Sequence, residues 1–212
     1  MRFADLLAAV EDEPVFATGM LLVGDVDPLD VRKQLSRWVA AGKITQLRRG
    51  LYALAAPYRK ATAHPFLIAN RMQRASYVSL QSALGYYDMI PEAVPTVTSV
   101  TTGRPAVYQT PLGAFLFRHI QMGWFRAYTQ LDLGNQQTTF IATPEKALLD
   151  LIYLTPGGET REYLEELRLQ SLDQLSLDKL SQLAQALGGP KLKQAVKIVA
   201  ELIETEKECQ QL

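Results

Sequence analysis

The sequence predicts an α+β fold, because helical and extended patterns occupy separate stretches of the chain. Apolar residues recur at helical spacing up to Gly42 and again beyond Gly158. Between them, Thr96 to Ala142 is rich in Val, Thr, Phe and Tyr and is punctuated by Gly103, Gly113, Gly123 and Gly134, the texture of consecutive strands. With 212 residues, 48% hydrophobic and 21% charged, the chain can bury the core of one large domain or two smaller ones.

Phe3, Leu6, Leu7 and Val10 predict a first short helix that ends in the acidic turn Glu11–Pro14. Thr18 is placed to cap a second helix through Val23, broken by Gly24 and Asp25. The third helix has the clearest signals. Asp27 caps it, Pro28 suits its first position, and Asp30 puts a carboxylate near the positive end of the dipole. Val31, Leu35, Trp38 and Val39 form its apolar stripe, and Gly42 supplies a left-handed stop. Lys43–Leu47 and Leu51–Leu54 then read as two strands around the turn Arg48-Arg49-Gly50, and Ala55-Ala56-Pro57 as a linker.

Further on, a helix is expected near His64–Gln73, and another capped by Ser79 and running to about Tyr87. Strands follow over Thr96–Thr102, Ala106–Thr110, Ala114–Ile120, Phe125–Gln130 and Thr138–Ala142. Thr143 caps, Pro144 starts and Glu145 favours the dipole of a mostly buried helix in which Ala147, Leu148 and Leu151 pack. The remainder is helical over roughly Glu159–Leu169, Leu177–Leu187 and Pro190 onward. The last helix sets Leu192, Val196, Val199 and Ile203 against a charged face, for packing within the chain or on a partner.

Charge is segregated although the net is +0. Residues 1–131 carry 14 basic and 9 acidic side chains, and residues 132–212 carry 8 and 13. Between Asp30 and Asp88 there is no Asp or Glu, yet ten Lys and Arg. That is a surface for an anion. Three helices followed by a two-stranded wing within residues 1–56 match the winged helix-turn-helix plan, so the expected anion is duplex DNA. Arg32, Lys33, Gln34, Ser36 and Arg37 would present donors to base edges from the third helix. Arg48 and Arg49 at the wing tip would reach a flanking phosphate or minor groove, and Lys43, Arg59 and Lys60 would add less specific phosphate contacts. The plain alternative is a solvated basic helix beside an ordinary hairpin.

The segments Gln34-Leu35-Ser36-Arg37-Trp38-Val39-Ala40-Ala41-Gly42-Lys43-Ile44 and Leu47-Arg48-Arg49-Gly50-Leu51-Tyr52-Ala53-Leu54 resemble the N-terminal domain of AbiEi-type antitoxins. Tyr77-Val78-Ser79-Leu80-Gln81-Ser82-Ala83-Leu84, Thr110-Pro111-Leu112-Gly113-Ala114-Phe115 and Ala142-Thr143-Pro144-Glu145-Lys146-Ala147-Leu148-Leu149-Asp150 resemble that family's second domain. The resemblance spans roughly residues 30–155. It implies a transcriptional repressor and antitoxin of the AbiE type IV toxin–antitoxin class, which represses its own operon at inverted repeats. It further implies that the chain counters a nucleotidyltransferase-like toxin without a stable complex. DNA contact carries over to the third-helix and wing positions above, and the antitoxin role to the second domain as a whole. The expected organisation is a winged helix at 1–56, a mixed α+β antitoxin-like domain at 57–169 and a helical extension at 170–212. Dimeric or cooperative occupancy follows from two-fold operator geometry.

Other chemistries find little in the sequence. One cysteine, Cys209, allows no internal disulfide and fits a reducing cytoplasm. The N-terminal residues lack a signal-peptide pattern, and no apolar run reaches the about 18 residues of a membrane span. His64 and His119 are too far apart in sequence to suggest a zinc site with one cysteine, so no metal or cofactor is expected. Gly24-Asp25-Val26-Asp27 lacks the strand and Gly-Ser that precede nucleotidyltransferase aspartates, and Asp27 is explained as a cap. The β-rich stretch holds one acid, Asp132, too few for a metal-dependent nuclease. Ser79 and Ser82 lack a base. The expectation is therefore a non-enzyme. Two rival readings stand: a metal-dependent nucleic-acid-processing enzyme using Asp132 or Glu145, and a stand-alone regulator with an effector pocket lined by Tyr77, Tyr86, Tyr87 and Phe115.

Overall fold

Five short elements enclose the first core, with a single tight turn between two of them. A computed structural model describes residues 1–24, 26–92 and 94–210, apart from the side chains of 206–210. Asp25, and the side chain of Cys209, therefore lie outside the described residues. The first elements are α1 (Phe3–Val10), β1 (Phe16–Ala17), a 3₁₀ turn at Thr18–Leu21, α2 (Pro28–Ala40), β2 (Ile44–Arg48) and β3 (Leu51–Leu54). Helix α2 begins where its cap dictates: Asp27 Oδ1 accepts the Leu29 amide at 2.8 Å, and Pro28 occupies the first turn. Val31, Leu35 and Trp38 are buried and Val39 is half-buried. The chain leaves the helix through Gly42 at φ 65°, with the Lys43 amide donating to the Trp38 carbonyl at 2.9 Å.

Two expectations need correcting. Residues from Thr18 form one 3₁₀ turn ending at Leu21 rather than a helix to Val23, and Ala17, not Thr18, holds the cap position. Phe16 and Leu21 are both buried in the first core, and a strand followed by one tight turn directs both inward. The other correction is β1, two residues too short to show alternation. It pairs antiparallel with β3 through Phe16 and Tyr52, giving the strand order β1-β3-β2.

Strand β3 is buried on both faces, and its alternation decides where each side chain goes. Tyr52 and Leu54 join Leu6, Phe16, Val31, Leu35 and Trp38 in the first core. Leu51 and Ala53, with Val15 and Leu47, belong instead to the core of the remaining chain. The small sheet is thus a wall shared by two cores, although Ala55-Ala56-Pro57 reads as a linker.

The rest comprises α3 (Pro65–Met72), β4 (Ser76–Val78), α4 (Leu80–Tyr86), β5 (Thr96–Thr101), β6 (Ala106–Thr110), β7 (Gly113–His119), β8 (Tyr128–Asp132), β9 (Thr138–Ala142), α5 (Pro144–Leu154), α6 (Arg161–Glu166), α7 (Leu177–Leu187) and α8 (Pro190–Gln210). Among the described residues, six strands form one mixed sheet in the order β6-β7-β5-β4-β9-β8, with β5–β7 and β4–β9 parallel. Strand β4 is unforeseen yet central. The strand expected at Phe125–Gln130 begins later, at Tyr128, because Met122–Trp124 makes a 3₁₀ turn that buries Trp124. Helix α6 is shorter than expected and is capped by Thr160, whose hydroxyl accepts the Tyr163 amide. Leu180 and Ala184 of α7, and Leu192, Val199 and Ile203 of α8, are buried in the same core as the sheet. The apolar face of α8 therefore packs within the chain. Among the described residues no helix is long and apolar enough to cross a membrane.

Helix α3 carries a pH-dependent cap. His64 Nδ1 accepts the Phe66 amide at 3.1 Å, which requires an unprotonated nitrogen, and burial holds this imidazole below its ordinary pKa. A depressed folded pKa contributes stability that is present above the unfolded value of about 6.5 and is lost as pH falls through the folded value. His64→Asn keeps an acceptor that does not titrate. The stability advantage of the wild type over this variant should therefore shrink by up to about 1 kcal/mol between about pH 7 and pH 5. Thermal melts across that range check this; a constant difference would mean the ring does not cap.

Candidate nucleic-acid interface

Burying the Val31/Leu35/Trp38 stripe leaves the opposite side of α2 outward, so Arg32, Lys33, Ser36 and Arg37 are exposed and Gln34 is half-buried. Arg32 and Ser36 lie one turn apart, as do Lys33 and Arg37, forming two adjacent ridges. Two of these groups have internal partners. Ser36 Oγ donates to the Arg32 carbonyl at 3.0 Å, and Lys33 Nζ lies 3.3 Å from Asp30 Oδ1. That ion pair is solvent-exposed and worth little, so a phosphate can displace it. Arg32 and Arg37 make no ion pair among the described residues.

The hairpin turn divides its two arginines. Gly50, at φ 80°, closes the turn, and Arg49 is exposed at its tip. Arg48 is turned back: its Nη1 donates to the Arg49 carbonyl at 3.0 Å, and its Nε is buried with no hydrogen-bond partner. Lys43 is half-buried, its ammonium 4.8 Å from the centre of the Phe3 ring. Lys60 pairs with Asp12 at 3.0 Å and Arg71 with Glu13 at 3.4 Å. The acid-free stretch of sequence is thus not acid-free in space, because the turn after α1 folds back onto it.

The polar cluster that sequence reasoning missed lies deep in the second core. Lys146 and Asp150, one turn apart on α5, are fully buried and form an ion pair. Tyr77 Oη and Ser79 Oγ donate to Asp150 Oδ2 at 3.1 and 2.8 Å. Lys146 Nζ also lies 5.6 Å from the Tyr77 ring centre and 5.8 Å from that of Trp124. Burial pushes the Asp150 carboxyl up and the Lys146 ammonium down, while each partner's charge opposes its neighbour's shift. Burial is also the first cause that raises the Tyr77 phenol, followed by the Asp150 charge.

This cluster corrects the reading of Ser79. Its hydroxyl makes no cap bond to α4; it is spent on Asp150, and Leu80 takes a left-handed φ of 58° as the chain turns into the helix. Lys146 and Asp150 could have been noticed as opposite charges one turn apart on a mostly apolar helix, and Tyr77 and Ser79 as residues two apart where β4 runs into α4. The constellation is enclosed by packed aromatic rings, Tyr77 stacking on Tyr128 with centroids 4.8 Å apart. Thr143 caps α5 as expected, accepting the Lys146 amide at 3.3 Å. Glu145 is buried and accepts the Ser176 amide at 3.2 Å. Asp132 Oδ1 accepts the Gly134 amide at 2.8 Å in the β8–β9 turn.

The aromatic effector pocket does not form. Tyr77 and Phe115 are fully buried in the core, whereas Tyr86 is 45% exposed. Tyr87 donates to the Ala142 carbonyl at 2.9 Å, and burial first, then Tyr86 and Glu145, pushes its pKa up to about 12. Among the described residues no three His, Cys, Asp or Glu side chains converge as metal ligands. Neither a scan against protein-family models nor a search of curated proteins found a match to this chain.

Proposed function

We propose that the chain is a sequence-specific DNA-binding repressor with a winged helix at its N-terminus, acting as the antitoxin of an AbiE-type pair rather than as an enzyme. The observation that carries this reading is α2. It commits its apolar stripe to the first core and turns Arg32, Lys33 and Arg37 outward on a helix of the right size for a major groove. The order α1, β1, 3₁₀ turn, α2, β2, β3, with Arg49 exposed at the hairpin turn, supports a wing beside that helix. The five segments similar to AbiEi-type antitoxins support the antitoxin role, which belongs to the body around the six-stranded sheet.

The test is anisotropy titration of the full chain with the duplex upstream of its own coding region and with an unrelated duplex of equal length. A repressor should prefer its own upstream duplex by about 10³-fold or more at physiological salt. Equal affinity for the two would overturn operator recognition. Co-expression with a neighbouring nucleotidyltransferase-like toxin should restore growth. Continued arrest would overturn the antitoxin part alone.

A further inference from the structure

A cleft of about 410 Å³ lies between the small N-terminal sheet and the surface made by α3, β8 and β9. Three arginines line it, Arg48, Arg71 and Arg74. Glu13, paired with Arg71, is the carboxylate that answers them, and Arg74 forms no ion pair among the described residues. Guanidinium groups do not shed their protons, so like charges repel across the cleft and favour an anion there.

Two hydrogen-bond donors point to what relieves it. Arg48 Nε and Asn70 Nδ2 are both buried without a partner, and both residues line this one cleft. Asn70 cannot turn its oxygen there instead, because its Oδ1 accepts the Phe140 amide at 2.6 Å. Both nitrogens are shielded from solvent, so a bound oxygen reaches them only as the two side chains shift into the cleft; because an unmade buried donor is costly, an anion with several acceptor oxygens favours that shift. The exposed side chains of Met20 and Phe140 also line the cleft and offer an apolar face beside the charges.

We propose that this cleft is a binding site for a small organic phosphate of nucleotide size. The phosphoryl oxygens accept from Arg48, Asn70 and Arg74, and the apolar or aromatic body lies on Met20 and Phe140. Planar guanidinium forks match phosphate oxygens in pairs, and the volume suits a ligand of this size. A phosphate of the DNA backbone offers the same oxygens without the free apolar body, and the test separates the two. The proposal does not depend on operator recognition, because its titration contains no DNA.

The full chain is titrated calorimetrically with inorganic phosphate, pyrophosphate and ADP, alongside Asn70→Asp and Arg74→Gln. Asn70→Asp keeps the acceptor for the Phe140 amide while replacing the orphan donor with a carboxylate oxygen. Arg74 is exposed, so Arg74→Gln should melt like the wild type, and a thermal melt of Asn70→Asp shows that it is folded before it is titrated. The expected result is one ADP per chain with Kd at or below about 1 mM, tighter than phosphate. Each variant should bind it at least about tenfold more weakly. Absence of saturable binding by all three probes, or equal binding by both variants, overturns the proposal. So does a third outcome: no free probe binds, yet Arg74→Gln lowers the salt slope of duplex binding by about 1, which assigns the cleft to the DNA backbone.

Discussion

Replacing Lys146 by methionine should cost about 3–5 kcal/mol at neutral pH, the loss expected when one partner of a buried ion pair is removed. Asp150 would remain fully buried with only the Tyr77 and Ser79 hydroxyls to solvate it. Its pKa is already raised by burial and held down by the Lys146 charge, so losing that charge raises it further. A raised folded pKa gives stability that is fully present below the unfolded value of about 3.9 and is lost as pH rises through the folded one. The deficit of Lys146→Met should therefore widen from acid to neutral pH. Adding Asp150→Asn removes the stranded charge but keeps an acceptor for both hydroxyls, so the double variant should recover much of the loss. Urea unfolding at several pH values reads both effects. A pH-independent deficit, or a double variant as unstable as the two single losses added together, would contradict the ion-pair account.

Arg37→Ala should weaken binding to the cognate operator by about 1–3 kcal/mol, or roughly 5- to 150-fold, while changing binding to unrelated duplex much less. The side chain is exposed near the end of α2 and makes no ion pair among the described residues, so its removal costs the free protein little. Its loss should appear as specificity rather than as stability. Arg48→Ala provides the contrast, since that guanidinium is turned back toward the cleft instead of standing at the tip. Competition titrations with cognate and unrelated duplexes distinguish the two. Parallel losses on both duplexes would place Arg37 on phosphate rather than on base edges.

Elements with local signals were legible in the sequence. Asp27-Pro28 and Thr143-Pro144 start helices where caps and first-turn prolines say they should, and Gly50 closes the hairpin. Strands β1 and β4 were not, being two and three residues long and defined by partners far away in sequence. At the interface, exposure of Arg32, Lys33 and Arg37 follows from the helical period, but the inward turn of Arg48 does not. Its direction is set by where the small sheet meets the second core, a contact no local pattern encodes. The same limit hid the Asp12 and Glu13 pairings and the two orphan donors of the cleft. Ser79 was misread because a cap is a local explanation, whereas its partner Asp150 is 71 residues away.

The grip of the outward cations of α2 and the hairpin turn on a duplex is what the proposed function rests on. Its most direct test is the salt dependence of operator binding by the wild type and by the combined variant Lys33→Ala, Arg37→Ala and Arg49→Ala. All three side chains are exposed, so the variant should fold as the wild type does. Each lost phosphate contact lowers the slope of log K against log[salt] by about 1, so the slope should fall by about 2 to 3, depending on whether Arg37 reads a base edge or a phosphate. An unchanged slope in a folded variant would mean that this surface does not touch DNA.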